Sequence, residues 1–233
     1  MDAGSNPASS TIHPHPNPDQ VGISFMKNLV SKALYLPYLP WVMAGVVLTS
    51  FAFSEPRVPT NSRVSLALME TTDLHSNVMS YDYFKLAEDK SLGFERTATL
   101  INAVRTEFPN NILLDNGDTL QGTALSDYQF QTNSLPCNQT LAIYKVMNLM
   151  KFDGGGIGNH EFNYGLPYLN QVTGSQFDVD GVTQGALPCS GPNFPQVLAN
   201  VYSAKSKAPL FSPYQIITKN VTATRPDGQT VLA

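Results

Sequence analysis

Three short polar segments carry side chains that bind metal ions or transfer protons. Asp73 and His75 lie in "TTDLHSN", Asp118 lies in "DNGDTLQG", and Asn159 and His160 lie in "GNHEFNYG". Carboxylate, imidazole and amide groups are hard or borderline ligands, which suit zinc, manganese, iron or cobalt. The segments contain no thiolate, which disfavours a structural zinc finger. Together they predict a metal site.

Each segment also has an ordinary structural explanation when it is taken alone. Any loop can contain the Asp73-x-His75 pair, Asp118 can form an Asx turn, and Asn159 can cap the helix that follows it. The functional interpretation depends on all three segments following core elements of one domain.

Helical and strand-like segments alternate along the chain, which predicts an α/β fold. Apolar residues recur at helical spacing in "FERTATLINAVRTEF" and "NQTLAIYKVMNLM", whereas strands are predicted from Val64 and in "NNILL", "PQVLANVY" and "PYQIITKNV". Loops beyond the carboxyl ends of the strands build the site in such folds. The glycines in "GGGIGNHEFNYG" predict a loop whose backbone comes close to a crowded centre.

Composition limits the class of ligand. The 233 residues are 42% hydrophobic and carry a net charge of −4, without a basic run. We therefore expect no nucleic-acid polymer as partner, although a small phosphate ligand is compatible with a metal that supplies positive charge.

The amino-terminal region predicts export. Residues 1–25, including His13 and His15, are predicted to be a disordered tail, and residues 26–54 a signal peptide, so that the mature domain covers 55–233. A membrane anchor is the rival interpretation, but the continuous apolar run from Trp41 to Phe53 is short for a span. We expect a periplasmic or secreted protein without a stable anchor after cleavage; the true start, Met1 or Met26, stays open.

The cysteines Cys137 and Cys189 both lie in loop-like segments. In an oxidising compartment we expect them to form a disulfide, with two free thiols as the alternative.

The three polar segments, in this order and spacing, resemble the calcineurin-like metallophosphoesterases. Within them they resemble the 5′-nucleotidase group, and most of all its bifunctional 2′,3′-cyclic-nucleotide 2′-phosphodiesterase/3′-nucleotidase branch. The resemblance implies the N-terminal part of a four-layer α/β/β/α domain, two divalent metal ions, and small nucleotides as substrates. It implies hydrolysis of phosphate esters by a metal-bridging hydroxide.

The same resemblance implies a role for each residue. Asp73 and His75 would bind the first ion, Asp118 would bridge both ions, and Asn159 would bind the second. His160 would contact phosphate oxygens rather than a metal ion.

Two departures from the family pattern qualify these roles. The family orients its catalytic His with an Asp three residues later, but position 163 is Asn. Asn163 is expected to accept a hydrogen bond from His160 through its amide oxygen. In addition, no histidine follows His160, whereas the family completes its site with two further histidine segments.

We therefore expect an incomplete, weakly active or inactive fragment whose missing C-terminal half is needed for a complete site. The alternatives are a 5′-nucleotidase or another hydrolase of the superfamily, and a non-catalytic exported fragment.

Overall fold

A computed structural model describes residues 58, 60–132 and 135–233. The predicted tail at 1–25 and the predicted signal peptide at 26–54 lie outside the described residues. Within the described ranges, no helix is both long enough and apolar enough to cross a bilayer.

The described chain alternates short strands with helices. The strands are β1 (Ala67–Thr71), β2 (Tyr81–Asp82), β3 (Ala87–Glu88), β4 (Asn111–Asp115), β5 (Gly154–Gly156), β6 (Gln196–Val197), β7 (Thr222–Thr224) and β8 (Thr230–Leu232). The helices are α1 (Phe94–Glu107), α2 (Ala124–Gln131), α3 (Ala142–Leu149) and α4 (Leu166–Val172), with a 3₁₀ turn at His160–Phe162.

A parallel sheet in the order β1-β4-β5-β6 forms the framework, and the predicted α/β class is confirmed. Each strand of this sheet pairs with the next one in the chain, so the connections all proceed in one direction. Because such crossovers are right-handed, they place their helices on the same face of the sheet. The β2–β3 and β7–β8 pairs are separate antiparallel hairpins.

The helix-covered face holds the core. Leu113 of β4 is fully buried, as are Ile143, Tyr144 and Met147 on one side of α3. On the opposite face Leu68 of β1 is 68% exposed and borders an open depression of about 340 Å³. The described residues thus supply one sheet and one helical layer of the four layers that the resemblance implies.

Two sequence predictions about elements are wrong. Residues 154–156 are not loop but the strand β5, paired with β4 and β6. The absence of side chains lets neighbours approach, since a Cβ on Gly155 would lie 3.0 Å from the ring of Phe194. The segment "PYQIITKNV" (213–221) is not a strand, because no described strand pairs with it and Ile216 remains 75% exposed.

Cys137 and Cys189 form a disulfide, with Cα atoms 4.6 Å apart. The amide of Ser190 donates a hydrogen bond of 2.7 Å to the carbonyl of Cys137, so the two loops are also joined through the backbone.

Candidate metal centre

The loops that follow β1 and β4 continue the parallel pairing of these strands beyond their carboxyl ends. The amide of Asp73 donates to the carbonyl of Gly117 at 3.1 Å, and the amide of His75 donates to the carbonyl of Asp118 at 3.0 Å. The first two predicted segments are therefore held side by side by main-chain bonds.

Three of the predicted site residues adopt a left-handed backbone. The φ angles are 54° at Asp73, 47° at His75 and 57° at Asp118. Non-glycine residues rarely adopt this region, and each such residue costs on the order of 1 kcal/mol. Such conformations cluster at functional sites, where neighbouring contacts hold them.

The buried carboxylate of Glu161 ties the third segment to the second. Its side chain is only 1% exposed. One oxygen accepts from the amides of Asp118 at 2.9 Å and Gly158 at 2.6 Å, and the other accepts from the amides of Thr119 and Leu120. Four main-chain donors thus compensate one buried negative charge.

His75, Asp118 and His160 converge at this edge of the sheet. One potential ligand atom from each lies within 4.8 Å of the others. The two imidazole rings meet edge to face with centroids 4.7 Å apart. Asp73 places Oδ1 3.6 Å from Nε2 of His75, with its side chain 56% exposed.

The ordinary explanations of Asp118 and Asn159 do not fit the structure. The Asx-type bond of the "DNGD" turn is made by Asp115, whose Oδ1 accepts from the amide of Gly117 at 3.0 Å. Asp118 Oδ1 instead accepts from the amide of His160 at 2.9 Å, 42 residues away. Asn159 precedes the 3₁₀ turn but makes no side-chain capping bond, and it is exposed.

Sequence reasoning missed Gln121, which contacts both histidines. Its main-chain oxygen lies 2.7 Å from Nδ1 of His75, and its Oε1 lies 2.7 Å from Nδ1 of His160. The residue follows Asp118 in "DNGDTLQG", so its place in that motif was the available signal.

The structure also differs from the expected role of Asn163. Its amide nitrogen, not its oxygen, lies 3.1 Å from Nδ1 of His160, and the same nitrogen donates to Oε1 of Gln121 at 2.9 Å. Gln121 therefore takes the acceptor position that was expected for Asn163.

Asp115 joins the ends of β1 and β4 beneath the site. It is 5% exposed and accepts hydrogen bonds from the hydroxyls of Thr71 at 2.6 Å and Thr119 at 2.7 Å. Burial raises the pKa of its carboxyl above the ordinary value, although these hydrogen bonds act in the opposite direction.

The donor set fits a divalent transition metal. Both Nδ1 atoms of the histidines are engaged by Gln121, which leaves each Nε2 free of that bond. Imidazole nitrogen combined with carboxylate oxygen suits zinc, manganese, iron or cobalt. In most histidine ligands one ring nitrogen binds the metal and the other donates a hydrogen bond, as Nδ1 can do here.

Comparisons with known proteins identify relatives for most of the chain. No family model matches the chain. It is 41% identical over 165 residues to the 2′,3′-cyclic-nucleotide 2′-phosphodiesterase/3′-nucleotidase of Salmonella typhimurium, covering 71% of this chain and 23% of that protein. It is 42% identical over 154 residues to the Yersinia enterocolitica protein of the same name, covering 66% and 21%. The chain thus spans under a quarter of the length of these relatives.

A solved structure shares the fold. The calcineurin-like phosphoesterase YfkN from Bacillus subtilis superposes with a TM-score of 0.59 at 36% identity, covering 72% of this chain and 46% of that chain. Fold, sequence similarity and the three polar segments agree. Over the aligned part, the chain belongs to the calcineurin-like phosphoesterases, in the group that contains the 2′,3′-cyclic-nucleotide 2′-phosphodiesterase/3′-nucleotidases.

Proposed function

We propose that the chain is the metal-binding part of an exported hydrolase of phosphate esters in nucleotides. The substrates are 2′,3′-cyclic nucleotides and 3′-nucleotides, as the names of its relatives state for those proteins. The observation that carries the proposal is the convergence of His75, Asp118 and His160 within 4.8 Å.

Four residues are proposed as metal ligands. Asp73 and His75 would hold one divalent ion, Asp118 would contribute to both, and Asn159 would hold the second. Bound ions of this kind lower the pKa of water and neutralise charge on phosphate oxygens. The 3.6 Å distance between Oδ1 of Asp73 and Nε2 of His75 supports the assignment of these two residues to one ion.

His160 is proposed to act on the substrate. Its Nδ1 contacts Gln121, so Nε2 is the atom left to face a phosphate group. When both ring nitrogens are protonated, the Nε2 proton can be donated to a phosphate or leaving-group oxygen, which is general acid catalysis. The hydrogen bond that the main-chain amide of His160 donates to Oδ1 of Asp118 holds residue 160 beside the proposed metal ligands.

Export is part of the proposal. The signal-like segment at 26–54 and the Cys137–Cys189 disulfide support it, since disulfides persist mainly in oxidising compartments. The periplasm or the exterior of the cell is the proposed location.

Phosphate release tests the proposed reaction. The purified protein would be assayed with 2′,3′-cyclic AMP, 3′-AMP and 5′-AMP, each with added Mn²⁺, Co²⁺ or Zn²⁺. We expect slow, metal-dependent release from the first two substrates and its loss in Asp118→Ala. Asp180→Ala is the matched control, because Asp180 is an exposed carboxylate in another loop.

The outcomes separate the candidate functions. Preference for 5′-AMP would identify a 5′-nucleotidase type instead. Release that is independent of metal or unaffected by Asp118→Ala would contradict the proposed site. No release from any substrate would support the non-catalytic alternative.

A further inference from the structure

Gln121 touches both histidines of the site with two different oxygens. Its main-chain carbonyl meets Nδ1 of His75, and its side-chain Oε1 meets Nδ1 of His160, each at 2.7 Å. These contacts span 46 and 39 residues of sequence, so one position connects all three polar segments.

The chemistry of these contacts fixes the proton positions. A carbonyl or amide oxygen only accepts hydrogen bonds, so the contacts with Gln121 form when each Nδ1 carries the proton. The amide nitrogen of Asn163 also lies 3.1 Å from Nδ1 of His160, and in this tautomer both N–H groups share Oε1 of Gln121 as their acceptor. In a neutral imidazole the other nitrogen, Nε2, then has a free lone pair. His75 needs that lone pair to bind a metal, and His160 needs Nε2 to exchange a proton with the substrate.

Asn163 fixes which end of the Gln121 amide faces His160. The amide nitrogen of Asn163 donates to Oε1 of Gln121 at 2.9 Å, so the atom at that place must be an acceptor. Rotating the Gln121 amide would set its NH₂ group against the NH₂ group of Asn163 and remove the acceptor that Asn163 uses.

The main chain at position 121 is also well anchored. The amide of the preceding residue, Leu120, donates to Glu161 at 3.0 Å, and its carbonyl accepts from the hydroxyl of Ser76 at 2.8 Å. Glu161 and Ser76 are 1% and 2% exposed. The oxygen that meets His75 therefore stays in place whatever side chain residue 121 carries.

We propose that Gln121 is a positioning residue that sets the tautomer of both histidines, His75 through its main chain and His160 through its side chain. The purpose of this arrangement rests on the proposed function. The hydrogen-bond pattern itself does not, and it is measurable without metal or substrate.

The test is a two-bond ¹H–¹⁵N spectrum of the metal-free protein labelled at histidine. The spectrum is recorded at a pH of about 8.5, some two units above the ordinary pKa of histidine, where a neutral ring with Nδ1–H is distinguished from one with Nε2–H. Signals of His13 and His15 are assigned by substituting each with alanine. In the wild type we expect Nδ1–H to exceed Nε2–H by roughly tenfold at His75 and His160.

The proposal predicts that Gln121→Ala affects the two histidines differently and that Gln121→Glu affects neither. In Gln121→Ala we expect His160 to lose its Nδ1–H preference while His75 keeps it. In Gln121→Glu both should keep it, because a carboxylate also accepts from Nδ1. Gln171→Ala is the matched control, since Gln171 is a half-buried glutamine that donates to the carbonyl of Leu135 instead.

Two results would overturn the proposal: an Nε2–H tautomer at His160 in the wild type, or an unchanged His160 spectrum in Gln121→Ala. If Gln121→Ala does not fold, Gln121→Glu decides, and loss of the Nδ1–H tautomer there would refute the proposal. The expected tautomers in a protein that binds no metal would contradict the proposed function and leave this inference standing.

Discussion

The buried carboxylate of Glu161 connects the second and third polar segments. It accepts from four amides, belonging to Gly158 and to residues 118–120. Glu161→Gln replaces one oxygen with an NH₂ group that faces donors, so main-chain amides lose their partner. We expect the free energy of unfolding to fall by about 2–4 kcal/mol, measured by urea denaturation.

Glu107→Gln is the matched control for this prediction. Glu107 ends α1 and is exposed, so its substitution should change stability by less than about 0.5 kcal/mol. Equal effects of the two substitutions would show that the Glu161 contacts contribute nothing to stability.

Asp115 makes stability depend on pH in a defined direction. Burial raises its pKa in the folded state above the ordinary value. The stability it contributes is fully present below about pH 4 and is lost as pH rises through the folded-state pKa. We expect the unfolding free energy of the wild type, minus that of Asp115→Asn, to fall between pH 4 and neutrality. A difference that stays constant or rises with pH would refute this assignment.

At the residue scale, the sequence predicted side chains that belong to a motif and missed contacts between motifs. Asp118 and His160 could be singled out because they lie in short recognisable segments. Gln121 and the donor role of Asn163 depend on contacts 39 to 42 residues away in sequence. Spacing along the chain carries no information on which atoms meet across such a distance.

At the scale of elements, the end of β5 must carry its backbone close to the loop after β4. A Cβ added to Gly158 would lie 2.2 Å from Oδ1 of Asp118, whereas one added to Gly154 would make ordinary contacts from 3.4 Å outward. Gly158→Ala should therefore displace the Asp118 carboxylate and weaken Co²⁺ binding by roughly 10-fold or more, measured by the visible absorption of bound cobalt.

Gly154→Ala is the control for this steric effect and should retain Co²⁺ affinity within about twofold, since its Cβ meets no atom closer than an ordinary contact. If both variants bind Co²⁺ like the wild type, the close approach at Gly158 is not required for the site.

Helical periodicity predicted α1 and α3 well. In α1 the residues that are buried or half-buried include Ala98, Ile101 and Val104, three positions apart, and in α3 Tyr144 and Met147 are buried at the same spacing. The strand β5 was missed, since three glycines have no apolar pattern and low strand propensity. These glycines form a strand because their backbone pairs with β4 on one side and with β6 on the other. The apolar segment 213–221 shows the converse: an apolar pattern does not form a strand without a neighbouring strand to bond.

At the scale of the whole molecule, the Cys137–Cys189 disulfide closes a loop that contains α3, β5 and α4. The cysteines are 52 residues apart in sequence. Replacing both with serine should lower the free energy of unfolding by about 4 kcal/mol, mainly because the unfolded chain gains conformational entropy without the cross-link. Denaturation in urea with and without a reducing agent measures it. A reductant that destabilises the serine variant as much as the wild type would contradict this explanation.

The central claim is that His75, Asp118 and their neighbours bind divalent metal ions. The most direct test is equilibrium binding of Mn²⁺ or Co²⁺ to the purified protein, compared with Asp118→Asn and with the exposed control Asp180→Asn. We predict saturable binding by the wild type and the control, and binding weaker by roughly 10-fold or more in Asp118→Asn. No binding by the wild type, or equal affinity in all three proteins, would contradict the account.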